Sequence, residues 1–191
     1  PVIENCSKTA ESILIGGARA NTFFVAQGHK IGKSVFDKEG VVIAEKLLKT
    51  HKNQLVLPVD VIAASSLRKD AKTRVTTPDN VRSSEYVVDI GPETRKLFLK
   101  LIASARTVVW NGPLGYCEIK KFSVGTEVVA KAISNQTGKA TTIVGGGDTV
   151  PVLEALKLAD KFTLLSTGGG SLLEFLAGKE LPGLQVLRID I

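Results

Sequence analysis

The chain has 191 residues, 43% of them hydrophobic, with 25 Lys and Arg against 19 Asp and Glu for a net charge of +6. That length suits one domain with a packed core, and no apolar run approaches the ~18 residues that a membrane span needs. The amino end has no basic start followed by an apolar stretch, so it does not read as a secretory signal, and scattered lysines with 5% aromatics read as a solvated basic surface and not as a nucleic-acid platform.

Apolar runs and helical patterns then alternate in chain order. "SILIGG" (12–17) reads as a strand that stops on two glycines. "GVVIAEKLLKTH" (40–51) spaces Val42, Ala44, Leu47 and Leu48 on one helical face. "QLVLPVDVI" (54–62) reads as the next strand, and the basic "SSLRKDAKTR" (65–74) as a loop. "YVVDIG" (86–91) is a strand, followed by a helix over 92–105 that opens on Pro92, where a missing N–H does no harm. "RTVVWNG" (106–112), a helix over 122–135, "ATTIVGG" (140–146), a helix over 148–159, "FTLLSTGG" (162–169) and a helix over 170–178 follow, and "LQVLRI" (184–189) reads as a last strand.

Near-continuous Val, Ile and Leu in these runs predicts strands buried on both faces. Strand and helix in alternation predict an α/β domain, doubly wound (Rossmann-like), with a mostly parallel sheet flanked by helices. Such sheets bind ligands beyond the carboxyl ends of their strands, so four loops become candidates.

In "IVGGGDT" (143–149) the glycines let a backbone approach phosphate, and the following helix start supplies N–H groups. Asp148 would repel phosphate unless a Mg²⁺ ion lies between them; otherwise it is an N-cap on a tight turn. "STGGGSLLEF" (166–175) is a second phosphate-capable loop without the acid. "VVWNGPLGYCE" (108–118) can set Asn111, Pro113 and Glu118 beside a ligand, with Glu118 suited to ribose hydroxyls, or be an irregular loop over a buried Trp. In "LIGGARANTF" (14–23), Gly16 and Gly17 leave a flat backbone for a purine, or serve close helix–strand packing.

Other matches fail. "GHKIGKS" (28–34) lacks the first glycine of a P-loop, because position 27 is Gln27. Dinucleotide fingerprints begun at Gly145 and Gly168 end on Val150 and Leu173. His29 and His51 sit in no metal-ligand spacing and read as surface residues. The two cysteines, Cys6 and Cys117, read as free thiols of a cytoplasmic protein. Absence of Met and a start at Pro1 read as a piece of a longer protein, with residues missing upstream.

Taken together, "LIGGARANTF", "LPVDVIAA", "DIGP", "WNGPLG…E", "FSVGT", "IVGGGDT" and "STGGGSLLEFLAGKELPG" resemble, in order and over essentially the whole chain, the carboxyl-terminal nucleotide-binding domain of the phosphoglycerate kinase family. The resemblance implies that residues 1–191 are that domain of a two-domain kinase. It implies reversible phosphoryl transfer between ATP and 3-phosphoglycerate, giving ADP and 1,3-bisphosphoglycerate, a glycolytic step. It places adenine against Gly16 and Gly17 with Val88 bordering the base, and the ribose at Asn111, Pro113 and Glu118. Nucleotide phosphates fall at Gly146, Gly147 and Thr149 with Asp148 on Mg²⁺, and Gly168, Gly169 and Gly170 face the transferring group.

The same resemblance implies that the domain's first strand, with a Gly-Gly-Ala-Lys segment, and the 3-phosphoglycerate-binding domain lie upstream of Pro1. The chain alone is then expected to bind nucleotide without turnover. It is also expected to self-associate through an exposed edge, where the whole protein is monomeric. Two rival readings are a NAD-binding dehydrogenase domain, against which both failed fingerprints speak, and a non-catalytic interaction module, against which the retained acids and glycine loops speak.

Overall fold

Helix α1 (Val2–Cys6) leads to strand β1 (Ile13–Leu14) in a computed structural model that describes residues 1–185. β1 turns at Gly16 into α2 (Gly17–Ala26), and α3 (Gly40–Thr50) returns the chain to β2 (Leu55–Val56). β1 and β2 are parallel, with Ile13 opposite Leu55. β3 (Val61–Ala64), β4 (Thr73–Thr76) and β5 (Tyr86–Ile90) then form an antiparallel sheet in the order β4-β3-β5. After α4 (Pro92–Ser104) come β6 (Thr107–Asn111), α5 (Val124–Ser134), β7 (Thr141–Gly145), α6 (Val150–Ala155), β8 (Leu164–Ser166), α7 (Gly170–Leu176) and α8 (Pro182–Gln185). β6, β7 and β8 pair in parallel in that order.

The α/β architecture agrees with the sequence, with specific differences. The parallel strands form two separate sheets, β1-β2 and β6-β7-β8. The expected strand over 54–62 is two strands, parted at Pro58, whose missing N–H cannot serve a ladder. The expected basic loop runs at its end, 73 and 74, into β4, an edge strand whose Arg74 and exposed Val75 disguise it. Helix α2 had no separate sequence signal beyond its opening glycines. The last expected strand begins inside α8 at 184 and 185, and the rest of it lies outside the described residues.

Burial also departs from expectation. Val109 is 45% exposed and Leu164 52% exposed, so one face of the β6-β7-β8 sheet is partly open. The other face is sealed. Trp110 and Val144 pack there with Phe98 and Ile102 of α4, Val129 and Ile133 of α5, and Leu153 of α6. A second core joins Ile15, Phe23, Phe24, Leu47 and Val61 under α2 and α3.

Side-chain capping fixes where α4 starts. Asp60 Oδ1 accepts from the Thr94 N–H at 2.7 Å and Oδ2 from the Glu93 N–H at 3.1 Å. These are N–H groups a helix cannot satisfy within itself. Gly91 is required beside them, since a Cβ there would collide with the Asp60 carboxylate.

Candidate functional site

Parallel pairing puts three strand ends in one row. Asn111 at the end of β6 lies opposite Gly145 of β7, and Gly145 opposite Ser166 of β8. The loops leaving these positions therefore emerge side by side at the carboxyl edge, where doubly wound folds bind ligands. The fourth loop joins from the other parallel sheet, because the Gly17 N–H donates to the Leu114 carbonyl at 3.2 Å.

Contacts between the loops depend on missing side chains. A Cβ on Gly17 would lie 2.7 Å from the Pro113 carbonyl oxygen, and one on Gly16 would collide with Leu114 Cδ2. Gly17 also has φ of +59°, which L side chains rarely adopt. The pair thus serves close packing against Pro113 and Leu114, and a purine would have to use a different side of that turn.

At the first triple glycine, Gly146 turns the chain out of β7 with φ of +104°. Its carbonyl accepts from the N–H groups of Thr149 and Val150 at 3.0 and 3.4 Å. Gly147 and Asp148 then have N–H groups that meet no protein acceptor among the described residues. Asp148 is exposed and makes no hydrogen bond or ion pair among those residues. It is not the cap of α6, whose N-cap is Thr149 and which has no side-chain capping bond.

Thr149, expected on the phosphates, has a fully buried side chain instead. Its Oγ1 accepts from the Gly112 N–H at 3.1 Å and so ties the 111–118 loop to the glycine loop. Asn111 sits beside this tie. Its Nδ2 is buried without an acceptor among the described residues, a donor in want of a partner.

In the second glycine loop Gly168 donates its N–H to Ser166 Oγ at 3.3 Å. Gly169 takes φ of +50° as the N-cap of α7. The Cβ directions of Gly147, Gly169 and Gly170 all open on empty space.

Pro113 is half-buried and Glu118 is exposed on the same loop as Asn111. Val88 departs from its expected place beside the base. It is 2% exposed and packs with Ala64, Ala71, Ile119 and Phe122, while its carbonyl accepts from the Tyr116 N–H at 2.8 Å. Val88 therefore anchors the loop from beneath. Cys117 donates to Thr126 Oγ1 at 3.2 Å, and burial pushes its thiol up, away from nucleophilic use. Both cysteines are free thiols, as read from the sequence. His29 is half-buried, with its ring Nδ1 3.4 Å from the exposed Asp79 carboxylate.

Two supporting residues escaped the sequence reading. Thr126 is fully buried, and its Oγ1 also accepts from the Leu114 N–H at 2.9 Å. Asp89 lies under the loop, where the spacing of Gly115 and Gly125 was the available signal. A Cβ on Gly115 would lie 2.7 Å from Asp89 Oδ1, and one on Gly125 would collide with the same atom.

No three His, Cys, Asp or Glu side chains among the described residues converge as a metal cage. A lone carboxylate such as Asp148 fits Mg²⁺, which keeps waters and arrives with phosphates. A separate cleft lined by Ala26, Gln27, Leu48, Lys49 and Lys52 lies at the far end of α2 from Gly17. It shares no residue with these loops. No helix among the described residues is long and apolar enough to cross a membrane.

A family model described as phosphoglycerate kinase matches residues 1–179. A phosphoglycerate kinase of Listeria monocytogenes serotype 4b (strain CLIP80459) is 47% identical over 182 residues, which is 95% of this chain and 46% of the relative. One from Chloroherpeton thalassium is 42% identical over 190 residues, 97% of this chain and 48% of the relative. The solved phosphoglycerate kinase of Coxiella burnetii superposes with a TM-score of 0.91 at 44% identity, over 98% of this chain and 49% of its own. That of Pyrococcus horikoshii gives 0.83 at 30%, over 97% and 47%. The chain spans about half the length of the curated relatives it matches.

Proposed function

The chain belongs to the phosphoglycerate kinase family, and from that membership we propose that residues 1–191 are its nucleotide-binding domain, taking ADP and ATP at the row of strand-end loops. The whole protein then transfers a phosphoryl group reversibly between ATP and 3-phosphoglycerate, in the cytoplasm. One observation carries the placement: Asn111, Gly145 and Ser166 stand in register, so both triple-glycine loops and the Asn-Gly-Pro loop leave one sheet edge together.

Adenine is assigned to the turn at Gly16 and Gly17, and the ribose to Asn111, Pro113 and Glu118. The free N–H groups of Gly147 and Asp148, with the Gly146 turn behind them, suit the nucleotide phosphates. The exposed Asp148 carboxylate would hold Mg²⁺, whose chemistry there is to offset phosphate charge. Of Gly168, Gly169 and Gly170, assigned to the transferring group, the last two keep an open backbone surface. A phosphoryl group in flight spreads charge over three oxygens, so positioned donors matter more than a general base. An acyl-phosphate acceptor is a carboxylate already, which suits a site without a histidine dyad. The acid substrate's own site belongs to the part of the protein outside these residues. Turnover by the 191-residue chain alone is therefore expected to be absent, although it binds nucleotide.

Calorimetric titration with ADP, with and without Mg²⁺, tests this reading. Metal-strengthened binding by the folded chain is expected. Binding of NAD in preference to ADP would sink it.

A further inference from the structure

Asp89 is a carboxylate enclosed beneath the candidate site, at 3% exposure. Its Oδ1 accepts from the Ile90 N–H at 2.8 Å and its Oδ2 from the Gly125 N–H at 2.7 Å. Gly125 is in the first turn of α5, where N–H groups lack helical partners, so Asp89 caps that helix from a neighbouring strand. The next residue, Thr126, accepts from the Leu114 N–H and the Cys117 thiol. Leu114 in turn accepts from the Gly17 N–H. A continuous chain of hydrogen bonds thus runs from Asp89, through the start of α5, to both loops assigned to adenine and ribose.

We infer that Asp89 is a positioning residue for the nucleotide site: its carboxylate fixes the start of α5 under the 112–118 loop and so sets how that loop meets Gly16 and Gly17. This rests on the nucleotide reading above. Ionised Asp89 is acceptor-only and takes both N–H bonds with full charge, whereas a proton on it weakens that hold. Burial raises its pKa to about 6 against the opposing pull of the Gly125 N–H and of Arg95, whose Nη2 lies 3.5 Å away on α4. Glu127 of α5 pushes the same way as burial, and the Cys117 thiol faces Asp89 from the loop. The positioning charge is therefore present at neutral pH and lost in mild acid.

The test compares the chain with Asp89→Asn, after circular dichroism confirms the fold of both. MgADP affinity is titrated in parallel across pH, so that protonation of ADP itself cancels in the ratio. Asp89→Asn should weaken binding about tenfold at neutral pH. The ratio should close toward one as pH falls through about 6. Hydrogen exchange at 112–118, measured without nucleotide, should be faster in Asp89→Asn. A ratio that does not change with pH, or unchanged exchange at 112–118, would overturn the inference. If Asp89→Asn does not fold, Arg95→Gln serves, since loss of the guanidinium should move the midpoint upward; an unmoved midpoint would overturn it. If no form binds ADP, the nucleotide reading fails, and the exchange comparison still decides whether Asp89 positions the loop.

Discussion

The Thr149 hydroxyl accepts the Gly112 N–H at 3.1 Å across 37 positions of sequence, and so joins the loop after β6 to the loop after β7. The acceptor end of this bond is fully enclosed, since Thr149 has no exposed surface, and Gly112 is half-buried. Thr149→Val keeps shape and removes the acceptor. We expect a loss of about 1 kcal/mol in stability from the lost hydrogen bond, together with weaker ADP binding. Denaturant unfolding and calorimetry check the two. Weaker binding at unchanged stability would mean that the hydroxyl meets the nucleotide directly.

Asp148→Ala removes an exposed carboxylate that no protein donor holds. Stability should stay within about 0.5 kcal/mol of the parent. MgADP affinity should fall about tenfold or more, while metal-free ADP affinity should hardly move. Equal losses with and without metal would make Asp148 a general electrostatic contributor and not a metal ligand.

Gly16 and Gly17 should respond unequally to alanine. At Gly16 the new Cβ meets the Leu114 side chain, which can rotate away. At Gly17 it meets the Pro113 backbone carbonyl, on a residue with φ of +59°. Gly17→Ala should cost roughly 1–3 kcal/mol and displace the 111–118 loop, and Gly16→Ala clearly less. Thermal unfolding of the two variants side by side gives the order.

Two buried carboxylates should bend the pH dependence of stability in opposite senses. Glu85 is held at about 2 chiefly by its hydrogen bonds from Arg74. Its folded pKa is depressed, so its contribution is present above about 4.5 and lost as pH falls toward 2. Asp89 is raised from 3.8 to about 6 chiefly by burial. The native state then binds the proton more tightly than the unfolded chain, so this contribution is full below 3.8 and is lost as pH rises through about 6. Thermal midpoints should therefore show Glu85→Gln departing from the parent least at the lowest pH. Relative to Asp89→Asn, the parent should lose ground between pH 4 and 7 by an amount on the order of 3 kcal/mol. The ionised form that holds the 112–118 loop is thus the less stable one.

Much of this was legible in the residues. Glycine pairs and triplets at strand ends are visible in sequence, and parallel pairing then aligns Asn111, Gly145 and Ser166 without further assumption. What escaped was tertiary. β4 hides because an edge strand can carry Arg74 and leave Val75 in water. Val88 reads like any apolar residue beside a loop, and only its packing with Ile119 and Phe122 shows that it faces inward. Thr149 is placed on the phosphates by the family resemblance of its motif, which says nothing of where its side chain packs. Its role here depends on Gly112, brought near only by the pairing of β6 with β7. Exposure of Val109 and Leu164 could not be foreseen, because a run of Val and Leu does not say how many of its faces are covered.

The most direct measurement is amide hydrogen exchange of the folded chain with and without MgADP. The account predicts slowed exchange at 15–18, 111–118 and 145–149, with the cleft near Gln27 and Lys49 unchanged. Protection confined to that cleft, with none at the strand-end loops, would contradict it.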